Sequence, residues 1–206
     1  MMMNKRKRSI YNLICSAIGQ IVTICVGLLL PRLFVVNYGS EINGLLNSLT
    51  QIFVYMNLFE AGVGAVTLQA LYKPIADGDY TGINGILSAT NKYYKKTGVL
   101  YLISLVLLSL LYPLIITSGL DYLTICLVTL FFGMSNVLLF FFQGKYKILL
   151  QAEGKGYIVT NLTTIITLIT NISKIFCIYL GVDIVVIIML TFIINTESPF
   201  SSALPR

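Results

Sequence analysis

Residues 157–180 read YIVTNLTTIITLITNISKIFCIYL, and the next apolar run, 184–194, reads IVVIIMLTFII. The first stretch is long enough to cross a bilayer as a helix, for which about 20 mostly apolar residues suffice. Its polar residues are not scattered. Thr160, Asn161, Thr163, Thr164, Thr167, Thr170, Asn171 and Lys174 recur every three or four positions, which places them on one face of a helix. The second stretch is too short to cross. Together they predict an all-α, polytopic transmembrane helical bundle that carries a polar seam.

Working outward, the same length rule finds spans at 10–36, 44–71, 99–118 and 122–142. The expectation is five full spans plus a shortened sixth at 184–194. The tail, 195–206, is polar, contains Pro199 and Pro205, and has no helical period, so it is expected to be disordered or unrelated in sequence to the rest. An apolar run that stops half-way through lipid would leave backbone groups unsatisfied. The chain is therefore expected to be the N-terminal portion of a longer protein, truncated or frameshifted. The alternative is a short protein whose last helix is only partly inserted. Between spans two and three, Ile83, Ile86, Leu87, Tyr93 and Tyr94 recur at helical spacing. They suggest a short amphipathic helix lying on the membrane surface, weakened by Gly82 and Gly85, with an irregular loop as the alternative.

Composition agrees with lipid as the solvent. Hydrophobic residues make up 57% and charged residues 11% of the 206, and mean hydropathy is +0.87. Soluble domains carry about 25% charged residues, so this chain lacks a polar skin. The net charge of +6 sits at the edges of apolar runs rather than in one patch, which argues against nucleic acid. No His is present, which removes the commonest general base and metal ligand. Cys15, Cys25, Cys126 and Cys177 lie inside apolar runs without metal-ligand spacing. No metal site or resident cofactor is expected. The run after Lys5, Arg6, Lys7 and Arg8 is far longer than a signal-peptide core of roughly 7–15 residues, so it reads as an uncleaved first span.

Orientation follows from Lys and Arg near span ends. One side holds Lys5 to Arg8, then Lys73, Lys92, Lys95 and Lys96, then Lys145, Lys147 and Lys155. The opposite loops, 37–43, 119–121 and 181–183, hold no Lys or Arg but carry Glu41, Asp121 and Asp183. The N-terminus is thus expected in the cytoplasm, with the chain in the bacterial cytoplasmic (inner) membrane.

Other spans carry polar stripes as well. In span one it is Asn12, Ser16, Gln20, Thr23, Gly27 and Pro31. In span two it is Asn47, Thr50, Gln51, Asn57, Glu60, Gly64 and Thr67. A weaker version in span four is Thr129, Gly133, Asn136 and Gln143. Close helix packing through small and hydroxyl side chains is one reading. A water-accessible cavity bounded by spans one, two and five, with four as a further wall, is the other. Three charges inside the spans favour the cavity, since each costs roughly 2.5–3.5 kcal/mol at the bilayer centre. They are Arg32, Glu60 and Lys174. Two cations on a cavity would attract an anionic substrate such as a lipid-linked phosphate. Glu60 could pair with one of them, or serve as a proton or sodium site. Snorkelling to the headgroups is the plain alternative for Arg32 and Lys174. Gln51, Asn161 and Asn171 complete the candidate substrate-binding set. Pro31 is expected to kink span one, and broken helices near binding sites are common in transporters.

Several segments resemble the polysaccharide flippases, of O-antigen and capsule type, in the multidrug/oligosaccharidyl-lipid/polysaccharide exporter superfamily. They are YGSEINGL (38–45), LFEAGVG (58–64), ALYKPIA (70–76) with Asp79, YKK (94–96), Tyr112-Pro113 and LQAEGKGYI (150–158). The resemblance runs from about residue 7 to 194 as an ordered set, with no single diagnostic motif. It implies two helical bundles facing a central cavity, of which this chain would be one, incomplete at its sixth helix. It implies translocation of an undecaprenyl-pyrophosphate-linked sugar unit from the inner to the outer leaflet. It also implies functional company with glycosyltransferases or a polysaccharide polymerase, and coupling to a Na+ or H+ gradient. Arg32 and Lys174 would meet the phosphate and Glu60 would balance or couple. Tyr72, Lys73 and Pro74, with Pro31, would form gate or hinge positions.

Other functions remain in view. A multidrug or organic-cation antiporter of the same superfamily would want acidic residues, and Glu60 is the sole acid in the first five spans. A non-functional fragment is a further alternative. A membrane enzyme would need catalytic carboxylates or His on a sizeable loop, and the outer loops are short with single acids. The charge alternation makes a direct prediction. Alkaline phosphatase fused after Gly119 should be active, and fused after Glu153 it should be inactive. The reverse pattern would invert the topology.

Overall fold

The computed structural model describes residues 5–116 and 118–196, with side chains described except at 5–13, 15, 16, 23 and 59–61. The expected disorder at 197–206 lies outside the described residues. Every regular element is a helix: α1 (Lys5–Met56), α2 (Leu58–Asp77), α3 (Tyr80–Ile115), α4 (Tyr122–Leu138), a π-helical turn at Leu139–Gln143, α5 (Gly144–Ala152), α6 (Gly156–Tyr179) and α7 (Ile184–Thr196). Among the described residues there is no strand. Among the described residues, four helices are long and apolar enough to cross a membrane, where five full spans were expected: Ala17–Met56, Tyr80–Ile115, Tyr122–Ala152 and Gly156–Tyr179. The chain is thus an all-helical protein suited to a membrane. The reason is general: hydrocarbon offers no partner to a backbone amide, so each segment must satisfy its own.

Helix boundaries differ from the expected spans in instructive ways. The first outer loop, 37–43, is not a loop. α1 runs through it, and Gly39 alone leaves helical geometry, at φ 86° and ψ 170°. Only glycine reaches that region cheaply, so one residue does what a longer connection was expected to do. Pro31 does not break α1, which keeps helical dihedrals on both sides of it. The stretch expected as span two is interrupted instead at Asn57, between α1 and α2. Nor does a separate surface helix lie between residues 72 and 97. α2 extends to Asp77, Gly78 closes it in the left-handed conformation (φ 68°), and the Asp79 carboxylate caps α3 by accepting from Gly82 N at 2.9 Å. The amphipathic pattern was real, but its apolar side packs on the bundle. Tyr94 is buried, with Ile83, Ile86 and Leu87 half-buried against the core. Span four likewise continues through the π turn into α5.

Contacts between elements fix which ends meet. Tyr38 Oη donates to Val182 O, and the Glu41 carboxylate lies against Gly119. The three acidic connections therefore gather at one end of the bundle. At the other end Thr67 and Thr90 share a hydrogen bond of 3.1 Å, and Gly64 faces the Tyr94 hydroxyl while Gly144 faces its ring. Gly19, in the first part of α1, lies against Thr160 and Thr164 of α6. The first part of α1 thus follows α6 from its start to beyond its end. Phe53, in the second part, packs between α3 and α4. α7 fills the gap between α4 and α6, burying Ile184, Ile187 and Ile188.

The core is a ladder of rings. Phe53 stacks on Phe132 (5.6 Å between centroids) and Tyr101 (6.4 Å), Tyr101 meets Phe140 (5.3 Å), and Phe140 meets Tyr94 (6.0 Å). Glycines make room for them. A Cβ on Gly133 would sit 2.7 Å from Phe53, and one on Gly144 would sit 3.0 Å from Tyr94. Gly133→Val should therefore overpack the crossing and destabilise the bundle by about 1–3 kcal/mol. Unfolding in mixed micelles with rising denaturing detergent measures this, and an unchanged midpoint contradicts it.

Candidate functional site

The polar face of α6 lines three adjoining cavities. The first, of about 270 Å³, lies between α1 and α6 and is walled by Gly19, Gln20, Thr160, Thr163, Thr164 and Thr167. The second, of about 290 Å³, shares Thr163 and Thr167 and adds Ser135, Asn136, Gln143 and Asn195. The third, of about 320 Å³, shares Thr167, Ser135, Asn136 and Asn195 and reaches Thr170, Asn171 and Lys174, with Thr191 and Phe192 from α7. The shared residues make them one groove along α6.

Most hydroxyls of the groove are held by their own helix. Thr163 donates to Val159 O at 3.0 Å, Thr164 to Thr160 O at 2.9 Å and Thr167 to Thr163 O at 2.8 Å. Such back-bonding lets a hydroxyl sit in lipid at little cost. Their oxygen lone pairs remain available as acceptors. The third cavity is different. Asn136 spends its amide N–H on Tyr101 Oη at 3.0 Å. Thr170 is 7% exposed, and its Oγ1 has no hydrogen-bond partner. Asn171 is also 7% exposed. Lys174 lines the same cavity, and the one ion pair among the described residues is elsewhere, between Lys155 and Glu153. An ammonium with hydroxyl and amide groups around it, and no carboxylate among the described residues of the cavity lining, is an arrangement suited to an anion.

The candidate residues do not all converge. Lys174 and Asn171 share the third cavity. Asn161, although on α6, is exposed and lines none of the three. Arg32 and Gln51 are exposed on α1, outside the groove, and Pro31 is half-buried above Arg32. The side chain of Glu60 lies outside the described residues. Tyr72 and Lys73 are exposed near the end of α2, and Pro74 lies inside that helix. Of the expected cavity walls, spans one, four and five line the groove and span two does not. α4 and α7 line the groove with α6 and the first part of α1, while the segment of span two packs on α3 and α5. The aromatic ladder occupies the space beside Phe53, so span two faces the core. Ser135, Thr191 and Asn195 were missed. Thr191 and Asn195, spaced by four, were the available signal that the short run has a polar side. Among the described residues, no group of His, Cys, Asp and Glu could hold a metal ion.

No family model, curated protein or solved structure matches the chain.

A groove that admits water should admit water-soluble reagents. In a chain with its native cysteines replaced by Ala, Thr167→Cys should react with a charged maleimide. Ile169→Cys, on the apolar flank of α6, should not. Equal labelling of the two would remove the distinction between groove and lipid face.

Proposed function

We propose that this chain forms a helical bundle of a transporter that moves lipid-linked oligosaccharide across the bacterial cytoplasmic membrane for surface polysaccharide biosynthesis. The observation that carries the reading is Lys174. It lines a cavity between α4, α6 and the short α7, beside the buried Thr170 and Asn171, and no carboxylate among the described residues lines that cavity. A basic residue kept inside a span is costly, and a (pyro)phosphate moving through the membrane is a chemical reason to keep it there. The ordered segments that resemble polysaccharide flippases point the same way. An organic-cation antiporter fits less well, because no carboxylate lines the groove among the described residues.

In this reading α1 supplies two spans that meet at Gly39, the second continuing through Asn57 into α2, and the short α7 closes the bundle. The basic end faces the cytoplasm, where the lipid-linked sugar is loaded, and the acidic end faces outward. Arg32, exposed on α1, would meet the phosphate from outside the groove. Tyr72, Lys73 and Pro74 sit where a cytoplasmic gate would move. A second bundle supplies the opposing wall, and a Na+ or H+ gradient drives the cycle.

The test is made in cells that carry the gene in its native context. Lys174→Ala and Arg32→Ala should each lower surface polysaccharide by on the order of tenfold, the loss of one charge-assisted phosphate contact. Protein amount is followed by immunoblot. Unchanged polysaccharide at normal protein level overturns the proposed roles.

A further inference from the structure

The groove along α6 is not a closed pocket. It opens at the surface of the bundle: Gln20 and Thr163 are exposed on its walls and Thr167 is half-buried, while Thr170 and Asn171 form its buried floor. From Thr160 to Lys174 it follows α6 for about 21 Å at 1.5 Å per residue, two thirds of a hydrocarbon core of about 30 Å. In a bilayer, a polar cleft of that length with an open flank would face the acyl chains and change the energetics of lipids as well as of one bound substrate. A phospholipid crosses a bare bilayer rarely because its head group must shed water into hydrocarbon, where nothing compensates it.

We infer that this groove passes the phosphodiester head groups of ordinary glycerophospholipids between the two leaflets. The head group moves along the Thr and Asn wall while the acyl chains stay in the surrounding lipid. The movement is passive and bidirectional, and no covalent bond changes. The polar inventory fits a zwitterionic or anionic head group. Thr163, Thr164 and Thr167 spend their protons on their own helix, so they offer lone pairs to a head-group ammonium or hydroxyl. Donors for the phosphate collect at the other end, where Lys174 stands beside Thr170, whose buried Oγ1 has no protein partner. This activity is distinct from oligosaccharide transport. It needs neither a sugar nor a gradient nor a second bundle.

The experiment uses vesicles of phosphatidylethanolamine and phosphatidylglycerol with a trace of phosphatidylglycerol carrying a fluorophore on its acyl chain. Dithionite added outside bleaches the outer leaflet alone unless lipids cross. A soluble fluorophore trapped inside reports leakage. Vesicles holding the chain should bleach beyond the outer-leaflet share without leaking. The isosteric pair Thr163→Val with Thr167→Val, and separately Lys174→Met, should slow that second phase by on the order of tenfold at matched helicity and protein content. Inorganic phosphate in the buffer should leave the rate unchanged. The inference is overturned if wild-type vesicles stop at the outer-leaflet share, or if both variants match wild type. Slowing in proportion to added phosphate also overturns it, by assigning the site to free anions. So does a Thr167→Cys chain that cross-links to a second copy in vesicles that move no lipid, because the groove is then an interface. Lipid movement in vesicles together with normal surface polysaccharide in Lys174→Ala cells leaves this inference standing and removes the oligosaccharide reading. The opposite pair of results does the reverse.

Discussion

Where Phe53 crosses α4, the facing residue is Gly133, and nothing larger fits: a Cβ there would lie 2.7 Å from the ring. In water such a fit would add to a hydrophobic force already at work. In a bilayer that force is missing between helices, because lipid tails are as apolar as Leu, and association rests on shape and on hydrogen bonds. The aromatic ladder from Phe132 through Phe53, Tyr101 and Phe140 to Tyr94 is therefore the frame of this bundle. It binds α1, α3, α4 and the π turn into one unit. Gly98, pressed against Phe140 and Phe141, and Gly144, pressed against Tyr94, place the other rungs. The π turn at Leu139–Gln143 belongs to the same design. It adds a residue's worth of rotation that sets Phe140 toward the rings of α3 while α5 continues.

A rigid frame on one side is what lets α6 be polar on the other. Interhelical hydrogen bonds in membranes average about 0.6 kcal/mol, too little for a row of threonines to hold a bundle. The α6 hydroxyls mostly do not try. They bond back to their own carbonyls, leaving the groove unfilled. α1 meets this face through Gly19, where a Cβ would lie 2.9 Å from Thr164 Oγ1. α7, with Thr191 bonded to Ile187 O at 2.9 Å, meets it from the far side. The groove follows from a helix whose polar groups are satisfied locally, set between neighbours that touch only its edges.

How much of this was legible in the sequence depended on the kind of information required. The helical class and the one-sided pattern of α6 follow from period and composition, which are local. The position of Gly39 as the one non-helical residue of α1 was within reach, since a glycine between two apolar runs signals a turn. Loop length was overestimated because a single positive-φ glycine does the work of several residues. What could not be read was which helix faces which. The stripe of span two, with Thr50 and Gln51, recurs along the helix much as that of span five does. Yet Thr50 bonds to Leu46 O at 2.7 Å, and Gln51 stays exposed outside the groove. That outcome is decided by ring packing at Phe53, a tertiary fact. The short run 184–194 was read as an anomaly of length; in three dimensions it is a wall of the third cavity.

The same limit separates two cations that look alike in the chain. Arg32 and Lys174 each sit one or two turns from the acidic end of a long apolar helix. Arg32 is exposed on α1, and its long side chain can reach the headgroups, where its charge costs little. Lys174 is half-buried on the cavity that holds Thr170 and Asn171. Its charge is confined to a space with no carboxylate among the described residues, so it sets the sign of the field there. A protonated Lys174 would repel cations from that cavity and draw anions to it, whatever the rest of the +6 net charge does at the membrane surface. In the proposed function, selectivity for a negatively charged group would rest on that one side chain, and the hydroxyl-lined groove leading to it would be neutral. A path that is tolerant along its length and discriminating at one point suits a cargo whose phosphate is constant and whose attached group varies.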